Sequence, residues 1–312
     1  MSIKVGRVMG VPVQIHLTWF AAFALLSYLI GSGFVSIAEE GISLALAIGV
    51  GALIAASLYI CLFAHECAHA AAARRCGIRT SAIVLSALGG EARLSRDAGE
   101  WADELRIAVA GPAVSAVLAL AFAIPLVAFE QYALVTTLAF YLAFANGVLA
   151  IMNMLPGYPL DGGRALRAIL WRATGNRTSA AKIATGAGEC IGGLVAAYGA
   201  VLLLTADWNG LWFVGLGWYI ADAAAREWER ERVRTMLEHA HAGDVLTAGA
   251  TQAMAADNVV DVGENAWQVV ERMGELDEDG SVAVSETGTI VGMIEKRELP
   301  ALLTARLRTA VR

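Results

Sequence analysis

Residues 44–75, LALAIGVGALIAASLYICLFAHECAHAAAARR, decide how the rest of the chain is read. An uncharged run, 44–64, leads straight into His65, Glu66 and His69, and the stretch closes on Arg74 and Arg75. A run of that length crosses the hydrocarbon of a bilayer as a helix. Three ionisable groups at its end then lie at membrane depth, where such groups are costly and functional by default.

The spacing says what the groups can do. Residues four apart share one face of a helix, so both imidazoles can reach a single metal ion. Glu66 is turned about 100° from His65, beside the ion, where it can take a proton from water. The alternative is a buried, hydrogen-bonded histidine pair without metal. That reading suits a soluble helix better than a span. A catalytic metal site of this kind needs three protein ligands and one open position, so the motif is one ligand short.

Composition agrees with a membrane setting. Of 312 residues 57% are hydrophobic and 17% charged, and the mean hydropathy is +0.59. One soluble domain is not built this way. The net charge of −6 hides a strong segregation, because residues 8–73, 107–163 and 183–225 contain no Lys or Arg. Each gap holds two spans, expected near 17–32, 43–73, 107–128, 132–155, 184–205 and 211–225. The connections within each pair carry only acids: Glu39 and Glu40, Glu130, and Asp207. The positive-inside rule then puts both termini and the basic loops in the cytoplasm. Residues 17–31 read as the first span and not as a cleaved signal. Cys61, Cys67, Cys76 and Cys190 form no C-x-x-C pair and are not expected to form disulfides.

The third ligand should come from another span at similar depth, and NMLPGYPLDGGR, 153–164, supplies Asp161. It lies just before Arg164, as His69 lies just before Arg74, so the topology brings all three to the cytoplasmic side. His69 precedes the basic boundary by roughly 7–8 Å of helix rise, which sets the site inside the membrane near that face. Pro156 and Pro159 should stop the fourth span, and Gly162-Gly163 should form a sharp turn presenting Asp161 from irregular backbone. Such backbone at depth must line a wet or protein-filled cavity.

The expected fold is mainly α, a polytopic membrane helix bundle of six spans with two additions. SAIVLSALGGEARL, 81–94, reads as a short membrane-associated β-hairpin. Beyond the membrane domain, 1–225, and a charged helical connector, 226–242, residues 243–312 form a small cytoplasmic α/β domain. Its strands are VVDV, SVAVS and TIVGMIE, with helices in AWQVVERMGEL and KRELPALLTARL. His16 reads as interfacial, Trp208, Trp212 and Trp218 as interface anchors, and His239 and His241 as solvated. Glu189 suits snorkelling or a hydrogen bond.

HECAH on one span and N-x-x-P-x-x-P-L-D-G-G-R on another resemble the site-2 protease family of intramembrane zinc metalloproteases, over residues 1–180. The opening GRVMGVPVQIHLTWF is similar to the bacterial subgroup that carries a C-terminal CBS region. The resemblance implies a Zn2+ cofactor held by His65, His69 and Asp161, with Glu66 as general base. It implies that Asn153 stabilises the oxyanion, that Asn146 holds the substrate backbone, and that a strand edge at Gly89 and Gly90 captures the unwound substrate. AGPAVSA, 110–116, matches the family's segment beside the active-site helix, with Gly111, Ala113 and Ser115 suited to close packing. The implied partner is a single-span transmembrane substrate in the lipid bilayer. The tail resembles one CBS repeat; such repeats work in pairs, so a homodimer is expected. Glu295 and Glu298 stand where adenosine nucleotide sites favour Thr, Ser and Asp, which argues against that ligand. No nucleic acid partner is expected.

Two rival functions use the same residues. A metal or proton transporter would need polar groups continuing along 44–64, which are almost absent. A catalytically silent scaffold signalling through the tail would not need an intact Glu66.

Overall fold

A computed structural model describes residues 2–37, 43–87, 89–129, 131–238, 259–274, 281–286 and 289–295. The chain divides into two compact units, Met1–Ile220 and Ala221–Arg312. The first contains strands β1 (Ser2–Val8) and β2 (Val11–His16), helices α1 (Leu17–Ile37) and α2 (Leu44–Arg75), and strands β3 (Thr80–Ser86) and β4 (Gly89–Leu94). Helices α3 (Trp101–Ala128), α4 (Ala133–Asn153), α5 (Asp161–Thr174) and α6 (Arg177–Leu204) follow, and α7 begins at Gly210 and ends at Glu238.

This is a mainly helical membrane protein. Among the described residues four helices are long and apolar enough to cross a bilayer: α2, α3, Leu134–Asn153 of α4, and α6. Leu17–Gly33 is a shorter apolar helix. The count of six spans is therefore not reached by length and composition among the described residues: Leu17–Gly33 is too short, and α7 turns from apolar to charged sequence partway along. The outer faces are built for hydrocarbon. Val117, Leu120, Ile124 and Val127 form an exposed stripe on α3 at helical spacing. A monomeric soluble protein does not leave such a stripe in water. Helices α1 and α2 meet where Gly51 lies against the Ser27 and Gly31 backbone, leaving no room for a Cβ.

The expected hairpin at 81–94 is present as β3 and β4, paired antiparallel from Thr80↔Leu94 to Ser86↔Gly89. It belongs to a larger sheet, order β1-β2-β3-β4, whose N-terminal hairpin was not anticipated. Strands β1 and β2 turn on Met9 and Gly10, both at positive φ (53° and 83°). Tight hairpins demand that conformation at both central residues, and a methionine there gives no turn signal in sequence. Strands β2 and β3 are parallel. A parallel pair needs a long crossover, and the helical pair α1–α2 is that connection.

The second correction concerns DGGR. Asp161, Gly162 and Gly163 do not form a turn after the fourth span. They are the first turn of α5, a helix absent from the expected set. The glycines serve close approach instead. A Cβ on Gly162 would run into Met154 and Leu155 backbone, and one on Gly163 into Gly157 and Tyr158.

In the second unit, β5 (Val259–Asp261), α8 (Ala266–Gly274), β6 (Ser281–Glu286) and β7 (Thr289–Glu295) follow the expected strand and helix stretches. Sheet order is β5-β6-β7, parallel then antiparallel. Leu237, Val260, Val269, Met273, Val282, Val284 and Ile294 form its core. The expected last helix, Glu298, His239, His241, Glu39, Glu40 and Glu130 lie outside the described residues.

Candidate metal centre

Helix α2 carries His65, Glu66 and His69 into the interior, at 2%, 6% and 5% exposure. Asp161 reaches them from the N-terminus of α5. The three donor atoms form a nearly equilateral triangle. His65 Nε2 and His69 Nε2 are 3.1 Å apart, and Asp161 Oδ2 lies 3.3 Å from the first and 3.2 Å from the second. Tetrahedral ligands about 2.0–2.1 Å from one ion are separated by about 3.3 Å, so the triangle has the size such an ion requires.

The hydrogen bonds around it sharpen the fit. Nδ1 of His69 is 2.7 Å from the Ile107 carbonyl oxygen. That oxygen can only accept, so Nδ1 carries the proton, and Nε2 of the neutral ring is left with a lone pair. The lone pair faces a carboxylate oxygen, an arrangement a cation between them resolves. Nδ1 of His65 is 2.9 Å from Ser115 Oγ, and Ser115 is fully buried. Each ring is thus held at its far nitrogen, as metal-bound histidines are. Burial alone would raise the Asp161 carboxyl. Hydrogen bonds and charge from His65 and His69 outweigh it and hold the group well below the usual carboxylate range.

Helix α3 supplies these supports because its stripe Glu104, Ile107, Ala108, Gly111, Pro112 and Ser115 is buried. Gly111 sits over the histidine pair: a Cβ there would overlap Nε2 of both rings. On the other side, a Cβ on Gly90 would overlap the Glu66 side chain. Strand β4 is the sheet edge, and this part of it faces α2. Gly89, at φ 138°, has open space around its Cα.

The two asparagines lie outside the triangle. Asn153 is the half-buried last residue of α4. It adjoins Met154, whose backbone packs on Gly162. Asn146 is 1% exposed and its Nδ2 donates to Leu142 O of its own helix at 2.8 Å. It neighbours Cys61, one turn before His65. His16 caps α1 through Thr18, at 2.8 Å. Glu189 is exposed on α6. Ser115 was expected only to allow close packing, and the Ile107 carbonyl, Glu104 and Arg167 were not singled out. The 104–108–111–115 spacing on α3 was the available signal.

The model of peptidase family M50 matches residues 53–140 and 128–192. Rip3 of Mycobacterium tuberculosis, named as a zinc metalloprotease, is 32% identical over 99% of this chain and 78% of its own length. A protein of Synechocystis named likewise is 28% identical over 86% of this chain and 72% of its own. The solved site-2 protease of Methanocaldococcus jannaschii aligns with a TM-score of 0.47 at 25% identity, covering 73% of this chain and 95% of that one.

Proposed function

This chain belongs to peptidase family M50, and on that premise we propose that it is an intramembrane zinc endopeptidase. Its substrates are membrane-anchored regulatory proteins, cut in or near a single transmembrane segment. The observation that carries this reading is the triangle of His65, His69 and Asp161 donor atoms at 3.1–3.3 Å with Glu66 buried beside it.

His65, His69 and Asp161 would hold the zinc, which when bound polarises a peptide carbonyl and brings the acidity of water toward neutral pH. Glu66 takes the proton from the attacking water and passes it to the departing amine nitrogen. Its side chain is walled by Gly90. Ser115 and the Ile107 carbonyl fix both rings, so the ligands need no reorganisation. Asn153, at the end of α4 next to the backbone under Gly162, is our candidate donor to the developing oxyanion. Asn146 and the Gly89-Gly90 edge are candidates for gripping the substrate. A transmembrane helix must unwind before attack, and pairing on β4 would bring its peptide group to Glu66.

The site would sit near the cytoplasmic face with both termini in the cytoplasm, following the placement of Lys and Arg. The parallel-then-antiparallel sheet with α8 fits a CBS-like tail, and because such repeats work in pairs the tail would pair with a second copy.

Purified protein with a single-span substrate in vesicles tests the chemistry. Glu66→Gln is expected to cut the cleavage rate by about 10²–10⁴-fold while zinc stays bound; persistent cleavage would remove Glu66 from the mechanism. Asp161→Ala is expected to lower zinc content, and unchanged content would strike it from the ligand set.

A further inference from the structure

We propose that Arg167 of α5 and Glu104 of α3 form a buried charge pair that sets the register of α5 and so positions Asp161 for the metal. The proposal rests on the metal reading above and adds residues that touch neither ion nor substrate.

Arg167 Nε donates to Glu104 Oε1 at 2.7 Å, and Nη2 donates to the same oxygen. The two residues are 4% and 1% exposed. The guanidinium also stacks on Tyr158, 5.2 Å from the ring centre. Tyr158 stands in the turn that leads into Asp161, where its N–H donates to Ala184 O of α6 and Gly188 packs on its backbone. One side chain therefore grips α3 and the approach to the ligand together.

The other buried residues of α5 are small: Gly162, Gly163, Ala165 and Ala168. Gly162 and Gly163 seat the start of the helix on the 154–158 backbone. Arg167 is the long buried side chain that ties α5 to α3. Arg167 lies six residues past Asp161, about 9 Å of rise, and Glu104 lies seven residues before Gly111, about 10 Å. The charge pair and the metal cluster are thus two rungs of one antiparallel contact. A one-residue slip would move Asp161 about 1.5 Å along the axis. Metal ligands tolerate about 0.2 Å. The slip would also leave two buried charges unpaired, which the low-dielectric interior penalises heavily. Burial works against the Arg167 charge, but Tyr158 and Glu104 more than offset it, so its pKa is held above the usual value.

The test uses the full chain in detergent. It measures zinc affinity by chelator competition, the visible spectrum of the Co2+ form, and thermal unfolding without metal. The double variant Glu104→Leu/Arg167→Met removes both charges and leaves none stranded. It is expected to unfold near the parent temperature, yet bind zinc about 10–100-fold more weakly, with an altered Co2+ spectrum. A purely structural pair would give parental affinity and spectrum once the fold is kept, and that result overturns the proposal. If the double variant does not fold, Arg167→Lys decides: weakened binding with a shifted spectrum supports positioning, parental values refute it. A parent chain that binds neither zinc nor Co2+ would sink the metal reading itself, and the positioning role with it.

Discussion

In residues 1–220, Leu120, Ile124, Val127 and Leu204 face outward while His65, Glu66, His69, Glu104 and Arg167 are buried. In residues 221–312, Val260, Val269, Met273, Val282 and Val284 are inside, and Asp261 and Gln268 are outside. The first unit also buries Ile54, Ile83 and Ile107, so what sets it apart is the apolar surface it leaves outside and the cluster of ionisable groups it holds inside. Against hydrocarbon, apolar residues gain nothing by hiding, so the interior of the first unit is free to hold charge, provided each charge has a partner. Helix association there relies on close packing in place of water exclusion, which is why glycines mark its contacts.

The largest expected effect tests that crowded interior. Gly111→Ala puts a methyl group where Nε2 of His65 and of His69 already stand. The rings must shift by an ångström or more, and displacement of that size costs about 10²-fold or more in rate. Zinc retention and cleavage should fall together. A Gly111→Ala protein with parental zinc content and activity would show that α3 does not cover the ligands.

Next comes a matched pair of exterior changes. Leu120 is 71% exposed on α3. Leu120→Arg should impair membrane insertion at a cost of about 2.5–3.5 kcal/mol. Gln268→Arg, on the exposed side of α8, should alter stability by less than about 0.5 kcal/mol. Glycosylation-reporter insertion assays read the first and thermal unfolding the second. Equal effects at the two sites would erase the contrast between the units.

The same contrast explains what could be read without coordinates. His65 and His69 were legible because a helix fixes the relation between residues four apart with no help from tertiary structure. The uncharged runs and the strands at 81–94, 259–262, 281–285 and 289–295 were legible for the same local reason. What failed was long-range. Asp161-Gly162-Gly163 read as a turn because isolated glycines break helices, yet contact with Met154, Leu155 and Gly157 holds them in α5. Met9 conceals the first hairpin by taking a positive φ that its side chain disfavours. Glu104 and Arg167 stand 63 residues apart, and only the folded chain makes them a pair. Asp161 itself was found because the depth of the site limits which segments can reach it.

The smallest loss of zinc affinity is expected at Ser115, where holding a ring in place is separated from binding the ion. Ser115 Oγ meets His65 Nδ1 at 2.9 Å in a fully buried position. Ser115→Ala removes that contact with little change in volume, so the fold should persist. His65 then loses the partner that fixes its orientation, and zinc affinity should drop by about tenfold, or about 1.4 kcal/mol. Ser115→Thr keeps the hydroxyl and should restore most of the loss where its added methyl fits. Chelator competition on the three proteins reads the series. Affinity that is unchanged in Ser115→Ala would mean the His65 ring is fixed by packing alone, and the buried hydroxyl would then be only a satisfied polar group in a helix built to face the metal.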